Sequence, residues 1–380
     1  MTGKFRAFDL DHMQTLVIKI GTALLSGRRA FDGRVMEAVV KEICALKREH
    51  DINVLIVTSG AVGCGMNTLG LTARPADLRH KQAVAAVGQA TLMHYYETLF
   101  LTYGDGLRTA QVLLSCADLA NRRSYLNVRN TLQTLFEMKQ VIPILNENDS
   151  TAVEELRFGD NDTLSAKIAA KINADLLIIL TDVDGLYDKN PREADDAQLI
   201  DEVDKVTEDI EAFAGGAGTI AATGGMRTKL DAARIGAAAG VPVVLANGHT
   251  PGIVHGVLSG SVPRTLFLPA KVSISHRKRW IAFGQLAQGT LHIDDGARKA
   301  LLEKGKSLLP AGVTALEGTF AVGASVRICD AQGHDLARGL VNYSSSELER
   351  IRGHKTTDIE GILGHKDYDE VIHRDNLVLL

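Results

Sequence analysis

Lys19 interrupts an otherwise apolar run, Val17-Ile18-Lys19-Ile20, which passes straight into Gly21-Thr22. An ammonium among isoleucines near a strand end must find an anion or incur a large desolvation cost. A lysine so placed is often paired with a core carboxylate or turned to water, and Lys19 alone does not choose between these. Gly21 and Thr22 favour a phosphate, because glycine lets backbone N–H groups approach and threonine adds a donor. A second apolar run empties into Thr58-Ser59-Gly60-Ala61-Val62-Gly63-Cys64-Gly65. It reads as a loop from strand to helix whose amides could grip a carboxylate or phosphate, or as a tight turn.

Further along, carboxylates and amides gather in Asn146-Glu147-Asn148-Asp149-Ser150 and Gly159-Asp160-Asn161-Asp162. Asp149, Asp160, Asn161 and Asp162 suit metal ligation, pairing with lysines or binding of a substrate ammonium, although acidic loop residues are by default solvated turn formers. Their spacing does not match an EF-hand. Thr181-Asp182-Val183-Asp184-Gly185 follows another apolar run, and Thr223-Gly224-Gly225-Met226-Arg227-Thr228-Lys229 opens a helix with paired glycines and a lysine, a ready anion site. Neither GxGxxG after a strand nor GxxxxGK[ST] is present, which disfavours a dinucleotide fold and a Walker loop. Two lysines, several glycine loops and a carboxylate cluster at one sheet edge point to phosphoryl transfer.

The elements that must position these residues read as alternating strands and helices over the first two-thirds of the chain. Apolar runs at 16–20, 53–57, 109–114, 141–145, 176–180 and 242–245 predict strands, continuous in Val, Ile and Leu as on a sheet covered on both faces. Helical spacing predicts helices over 34–49, 78–100, 117–138, 163–172 and 226–239. The fold class expected is α/β, an open, mainly parallel sheet sandwiched by helices, with ligands beyond the carboxyl ends of the strands. The Ala- and Gly-rich stretch 212–225 reads as a loop ahead of a helix. After Pro269 the pattern changes, and His276-Arg277-Lys278-Arg279 precedes the only tryptophan, Trp280. Strands at 289–293, 325–329, 336–341 and 377–380 and helices at 297–303 and 345–351 predict a smaller, mainly β domain. The expected division is 1–270 and 280–380.

Composition narrows the classes of function. Lys plus Arg number 42 against 46 Asp plus Glu, a net charge of −4 that gives no general attraction to nucleic acid or an anionic membrane. Residues 275–380 hold 14 Lys/Arg and 14 Asp/Glu, without the basic excess that a phosphate backbone attracts. Cys44, Cys64, Cys116 and Cys329 form no CxxC pair, which suits reduced thiols in a cytoplasm better than a disulfide framework. No apolar run approaches the ~20 residues of a membrane span, and the N-terminus does not read as a signal peptide.

The ordered series Val17–Thr22, Val57-Thr58-Ser59-Gly60-Ala61, Asn146-Glu147-Asn148-Asp149, Gly159–Asp162, Leu180-Thr181-Asp182, Gly185-Leu186-Tyr187 and Thr223–Lys229 resembles the glutamate 5-kinases of the amino acid kinase family. The segment from Ser307-Leu308-Leu309-Pro310 to His373-Arg374-Asp375 is similar to a PUA domain. The one departure noted is Cys64 and Met66, where that family often has smaller or charged residues. The resemblance implies ATP-dependent phosphorylation of the L-glutamate side-chain carboxylate with Mg2+, the first step of proline synthesis, with proline as inhibitor and a homo-oligomeric assembly. It also implies residue roles. Lys19 and Lys229 contact the phosphates from opposite sides, and Asp162 orients both. Ser59, Asp149 and Asn161 bind glutamate. Thr181 and Asp182 form the nucleotide site with Thr223, Gly224, Gly225, Met226, Arg227, Thr228 and Lys229. Mg2+ is held by phosphate oxygens and water, with no protein ligand named. The alternatives are an aspartate or acetylglutamate kinase and, from a different class, an RNA-binding protein acting through the PUA segment.

Overall fold

A computed structural model describes residues 5–25, 31–151, 161–191, 193–213, 225–270 and 287–379 of the chain. They form two compact units, each with its own sheet. The expectations for Asp160, Thr223, Gly224, the 276–279 run and Trp280 fall outside the described residues.

The first unit has eight strands: β1 (Thr15–Ile20), β2 (Asn53–Thr58), β3 (Arg108–Leu114), β4 (Val141–Glu147), β5 (Leu176–Thr181), β6 (Glu202–Val203), β7 (Val243–Asn247) and β8 (Thr265–Phe267). Their order is β3-β4-β2-β1-β5-β7-β8-β6, and every pairing from β3 to β7 is parallel. Only β8 runs antiparallel to β7, with β6 parallel to β8 at the edge. The central strands β1 and β5 are buried along their whole length, which explains why their runs are apolar but for Lys19 and the terminal threonines. The two short strands β6 and β8 were not expected from the sequence, being too brief to show a period.

Nine helices are described along the same stretch of chain: α1 (Arg34–Glu49), α2 (Ala61–Thr68), α3 (Leu78–Tyr103), α4 (Cys116–Ala120), α5 (Arg122–Glu137), α6 (Asn161–Ile172), α7 (Glu208–Phe213), α8 (Met226–Ala238) and α9 (Ile253–Ser259), with only residues 119–122 grouping with the second unit. Two expectations are corrected here. The 117–138 helix is two helices divided by a bend at Asn121, a residue whose side chain competes for backbone hydrogen bonds. The glycine-rich stretch 58–65 is a loop only at Ser59 and Gly60. Gly63 and Gly65 lie inside α2; the Gly65 amide belongs to helix hydrogen bonding, whereas Gly63, in the first turn ahead of the Cys64-to-Gly60 bond, keeps a helix-start donor. Gly60 caps that helix with φ 103°, a conformation that favours glycine.

A parallel sheet aligns its strand ends, and the register shows how closely. Lys19 pairs with Val57 on one side and Ile179 on the other, and Ile20 pairs with Thr58. Gly21, Ser59 and Asp182 therefore leave the same edge of the sheet. The second unit has strands β9 (Gly289–Ile293), β10 (Val313–Glu317), β11 (Ser325–Cys329), β12 (Asp335–Leu340) and β13 (Leu377–Leu379) in the order β10-β9-β11-β12-β13. All pairings are antiparallel except β9 with β11. Its core is its own, from Leu291 to Leu377. A capping box of Ser344 and Glu347 starts the helix Ser345–Ile351.

Candidate active site

The site is assembled from the carboxyl ends of β1, β2, β4 and β5 and the first turns of α6 and α8. Helix α6 begins at Asn161, two residues earlier than the 163–172 span, so Asn161 and Asp162 are first-turn residues rather than loop residues. A carboxylate there is stabilised by the helix dipole. Helix α8 starts after Gly225 and carries Lys229 in its own first turn, and α6 and α8 pack together.

That packing brings three expected residues into contact. The Lys19 ammonium lies 2.5 Å from Asp162 Oδ1, and Lys229 Nζ lies 3.2 Å from Asp162 Oδ2. Thr228 Oγ1 also donates to Oδ2 at 2.9 Å. Asp162 is fully buried, with Lys19 at 2 % and Lys229 at 5 % exposure. One buried carboxylate is shared by two ammoniums, and the N-termini of α6 and α8 add positive potential at the same sheet edge. Gly21, next to Lys19, is held by a 3.3 Å hydrogen bond to the Leu180 carbonyl; a side chain there would crowd that oxygen and the Lys19 ammonium.

A second cluster is made of amides and hydroxyls. Asn161 Nδ2 reaches the Thr58 carbonyl at 2.9 Å, Ser59 Oγ at 3.0 Å and Asn146 Oδ1 at 3.0 Å. Ser59 and Asn161, both expected at the site, are thus in contact. Asp149 follows β4 by two residues, its backbone N–H donating to the Glu147 carbonyl at 2.9 Å. Thr181 ends β5, buried, with its hydroxyl 3.2 Å from Asp182 Oδ1. Gly225 and Arg227 are exposed and Met226 is half-buried at the start of α8.

Sequence reasoning missed several neighbours. Asn146 is buried and donates to Gln89 Oε1 at 2.9 Å, while the fully buried Tyr96 donates to Thr58 Oγ1 at 2.8 Å. Gln89 and Tyr96 lie seven residues apart, hence on one face of α3. Beyond β5, Asp184 accepts from Asn247 Nδ2 at 3.0 Å and from the Tyr187 hydroxyl at 3.1 Å. Cys64 is no nucleophile, since burial pushes its thiol up to about 12. Among the described residues no three His, Cys, Asp or Glu side chains converge to hold a metal. The arrangement is that of two lysines sharing one buried carboxylate beside a cluster of hydrogen-bonded amides and hydroxyls.

Comparison with known proteins identifies the family of the chain. Residues 14–247 match the amino acid kinase family, and residues 289–363 match the PUA domain. The chain is 50% identical over 366 residues to the glutamate 5-kinase of Caldanaerobacter subterraneus subsp. tengcongensis, covering 96% of this chain and 97% of that protein. It is 49% identical over 382 residues to the glutamate 5-kinase of Moorella thermoacetica, covering 100% of both. That of Geobacter sulfurreducens is 46% identical over 376 residues, covering 99% of this chain and 100% of the relative.

Proposed function

The chain belongs to the glutamate 5-kinases of the amino acid kinase family, and from that premise we propose that it transfers the γ-phosphoryl group of ATP to the side-chain carboxylate of L-glutamate. The observation that carries the reading is Asp162, buried and holding Lys19 and Lys229 at the sheet edge. A carboxylate is already a nucleophile, so the reaction needs no general base. One glutamate oxygen bonds to the γ-phosphorus as the bond to the ADP oxygen breaks. What remains is to position two anions and stabilise charge on the phosphoryl group in flight. Lys19 and Lys229 supply that stabilisation from fixed positions, and Asp162 keeps them fixed.

Ser59, Asp149 and Asn161 are the proposed glutamate ligands. Thr181 and Asp182, with Thr223 to Lys229, are the proposed nucleotide side. Mg2+ suits a site of this kind when held by nucleotide oxygens and water, because the one carboxylate between the lysines is already paired. The ion would offset phosphate charge when bound. The reaction would open proline synthesis in the cytoplasm. Proline shares the α-carboxylate and a cationic nitrogen with glutamate but lacks the acceptor carboxylate, so we propose that it competes in the same pocket. Substitutions in 60–81 should then shift glutamate affinity and proline sensitivity together. A set that abolished inhibition with glutamate KM always unchanged would place proline elsewhere.

The direct test measures ADP release with glutamate, aspartate, N-acetylglutamate and no acid, with and without Mg2+, and traps the acyl phosphate as a hydroxamate. Release that requires glutamate and yields the hydroxamate is expected. Faster turnover of another acid, or release independent of any acid, would overturn the assignment.

A further inference from the structure

We propose that Gln89, on α3, is a positioning residue that sets the orientation of the Asn161 amide through Asn146, and so controls affinity for the amino acid substrate. The inference rests on the assignment of Asn161 to glutamate. Its geometry is fixed by two backbone groups. The Thr58 carbonyl can only accept, so the atom 2.9 Å from it must be Asn161 Nδ2. The Glu147 backbone N–H can only donate, so its partner at 2.9 Å must be Asn146 Oδ1. That same Oδ1 accepts from Asn161 at 3.0 Å, which leaves Asn146 Nδ2 facing Gln89 Oε1 at 2.9 Å. None of the three amides can be turned over without opposing two donors or two acceptors.

The consequence lies at the ends of the series. Asn161 Oδ1 is buried and has no hydrogen-bond partner among the described residues, and neither has Gln89 Nε2 at the other end. A buried acceptor turned away from three protein contacts is suited to a donor from a ligand, and the α-ammonium of an amino acid is such a donor. Without the Gln89 acceptor, Asn146 Nδ2 becomes a donor buried in a residue of 2 % exposure. Asn146 then gains by rotating toward another acceptor, and Asn161 loses one of the contacts that hold its amide.

The test compares Gln89→Leu, which removes the acceptor, with Gln89→Glu, which keeps an oxygen facing Asn146 while replacing the unpartnered Nε2 by a second carboxylate oxygen and adding a charge. In Gln89→Leu the KM for glutamate should rise about ten-fold, as for one buried amide left unpaired, with the KM for ATP and kcat little changed. Gln89→Glu should recover most of the affinity. In an Asn161→Ala background, Gln89→Leu should add nothing further. An unchanged glutamate KM with only a lower Tm would reduce Gln89 to a structural role. Equal losses in both Gln89 variants, or additive losses with Asn161→Ala, would show that Gln89 does not act through Asn161. The side-chain amide resonance of Asn161 should shift in Gln89→Leu and return in Gln89→Glu. That readout tests the relay even if the wild-type protein fails to phosphorylate glutamate, a failure that would overturn the proposed reaction instead.

Discussion

Asp162 has no exposed surface, and its two lysines have almost none, so each of the three depends on the others for solvation. Removing Asp162 would leave two buried ammoniums without their carboxylate, which typically costs ~3–5 kcal/mol, whereas removing one lysine leaves an Asp162–Lys pair in place and one preorganised donor fewer at the site. Lys19→Ala and Lys229→Ala should therefore each lower kcat by about two to three decades, the cost of losing one preorganised donor. Neither should lower Tm as much as Asp162→Ala, because one ion pair to Asp162 survives in each. Steady-state kcat at saturating ATP and glutamate, with thermal unfolding alongside, checks both; near-normal kcat in either variant would remove that lysine from the chemistry. A different lysine reports on pH. Lys171, near the end of α6, is buried with its ammonium 3.8 Å from the centre of the Tyr125 ring, and desolvation, with Lys167 nearby, lowers its pKa to about 7. The unfolded chain, with an ordinary lysine near 10.5, binds more protons between these values, so this group makes stability rise from about pH 7 to about pH 10.5. Lys171→Met should flatten that rise in denaturation midpoints measured across the range. An unchanged slope would assign it to other groups.

Helices α2 and α3 approach most closely at two glycines. A Cβ on Gly65 would lie 1.9 Å from the Val84 carbonyl oxygen, and one on Gly88 would lie 1.8 Å from the Ala61 carbonyl oxygen. Gly63, also in α2, faces open space. Gly65→Ala and Gly88→Ala should each destabilise by about 1–3 kcal/mol through overpacking. Gly63→Ala should instead stabilise by roughly 0.5–1 kcal/mol through helix propensity. Urea unfolding of the three variants separates the cases, and a uniform effect would mean that the close approach is not what selects glycine. The same glycines show where sequence reading stops. A Gly-rich segment after a strand has one composition whether it is a phosphate loop or a helix packed tightly on another, and only the partner helix distinguishes them. Lys19 was legible because an ammonium within an apolar run is costly wherever it lies. Asp162 and Lys229 were legible through their motifs. Asn146 stood in a motif without a role of its own, and Gln89 was not legible at all, since an amide carries no charge to betray burial and its partner lies 57 residues away.

At the scale of the whole chain, the change of pattern after Pro269 corresponds to a change of sheet. One hydrophobic core draws on residues from Met13 to Leu266, and another on residues from Leu291 to Leu377. Every residue assigned to the reaction precedes β7, and the first sheet needs no strand from beyond β8 to be complete. A parallel α/β unit with its own core meets the usual requirement for folding alone. We therefore expect a chain ending at residue 270 to fold cooperatively and still form glutamyl phosphate, with kcat and both KM values close to those of the full chain. Loss of the second unit can still alter stability, assembly or inhibition, because a neighbouring domain can bias an equilibrium without supplying a chemical group. The measurement is hydroxamate formation by the truncated protein, with circular dichroism and thermal unfolding to establish that it is folded. A folded, soluble truncation without detectable product would mean that the C-terminal unit supplies part of the active site, and the division at 270 would then separate two halves of one catalytic body.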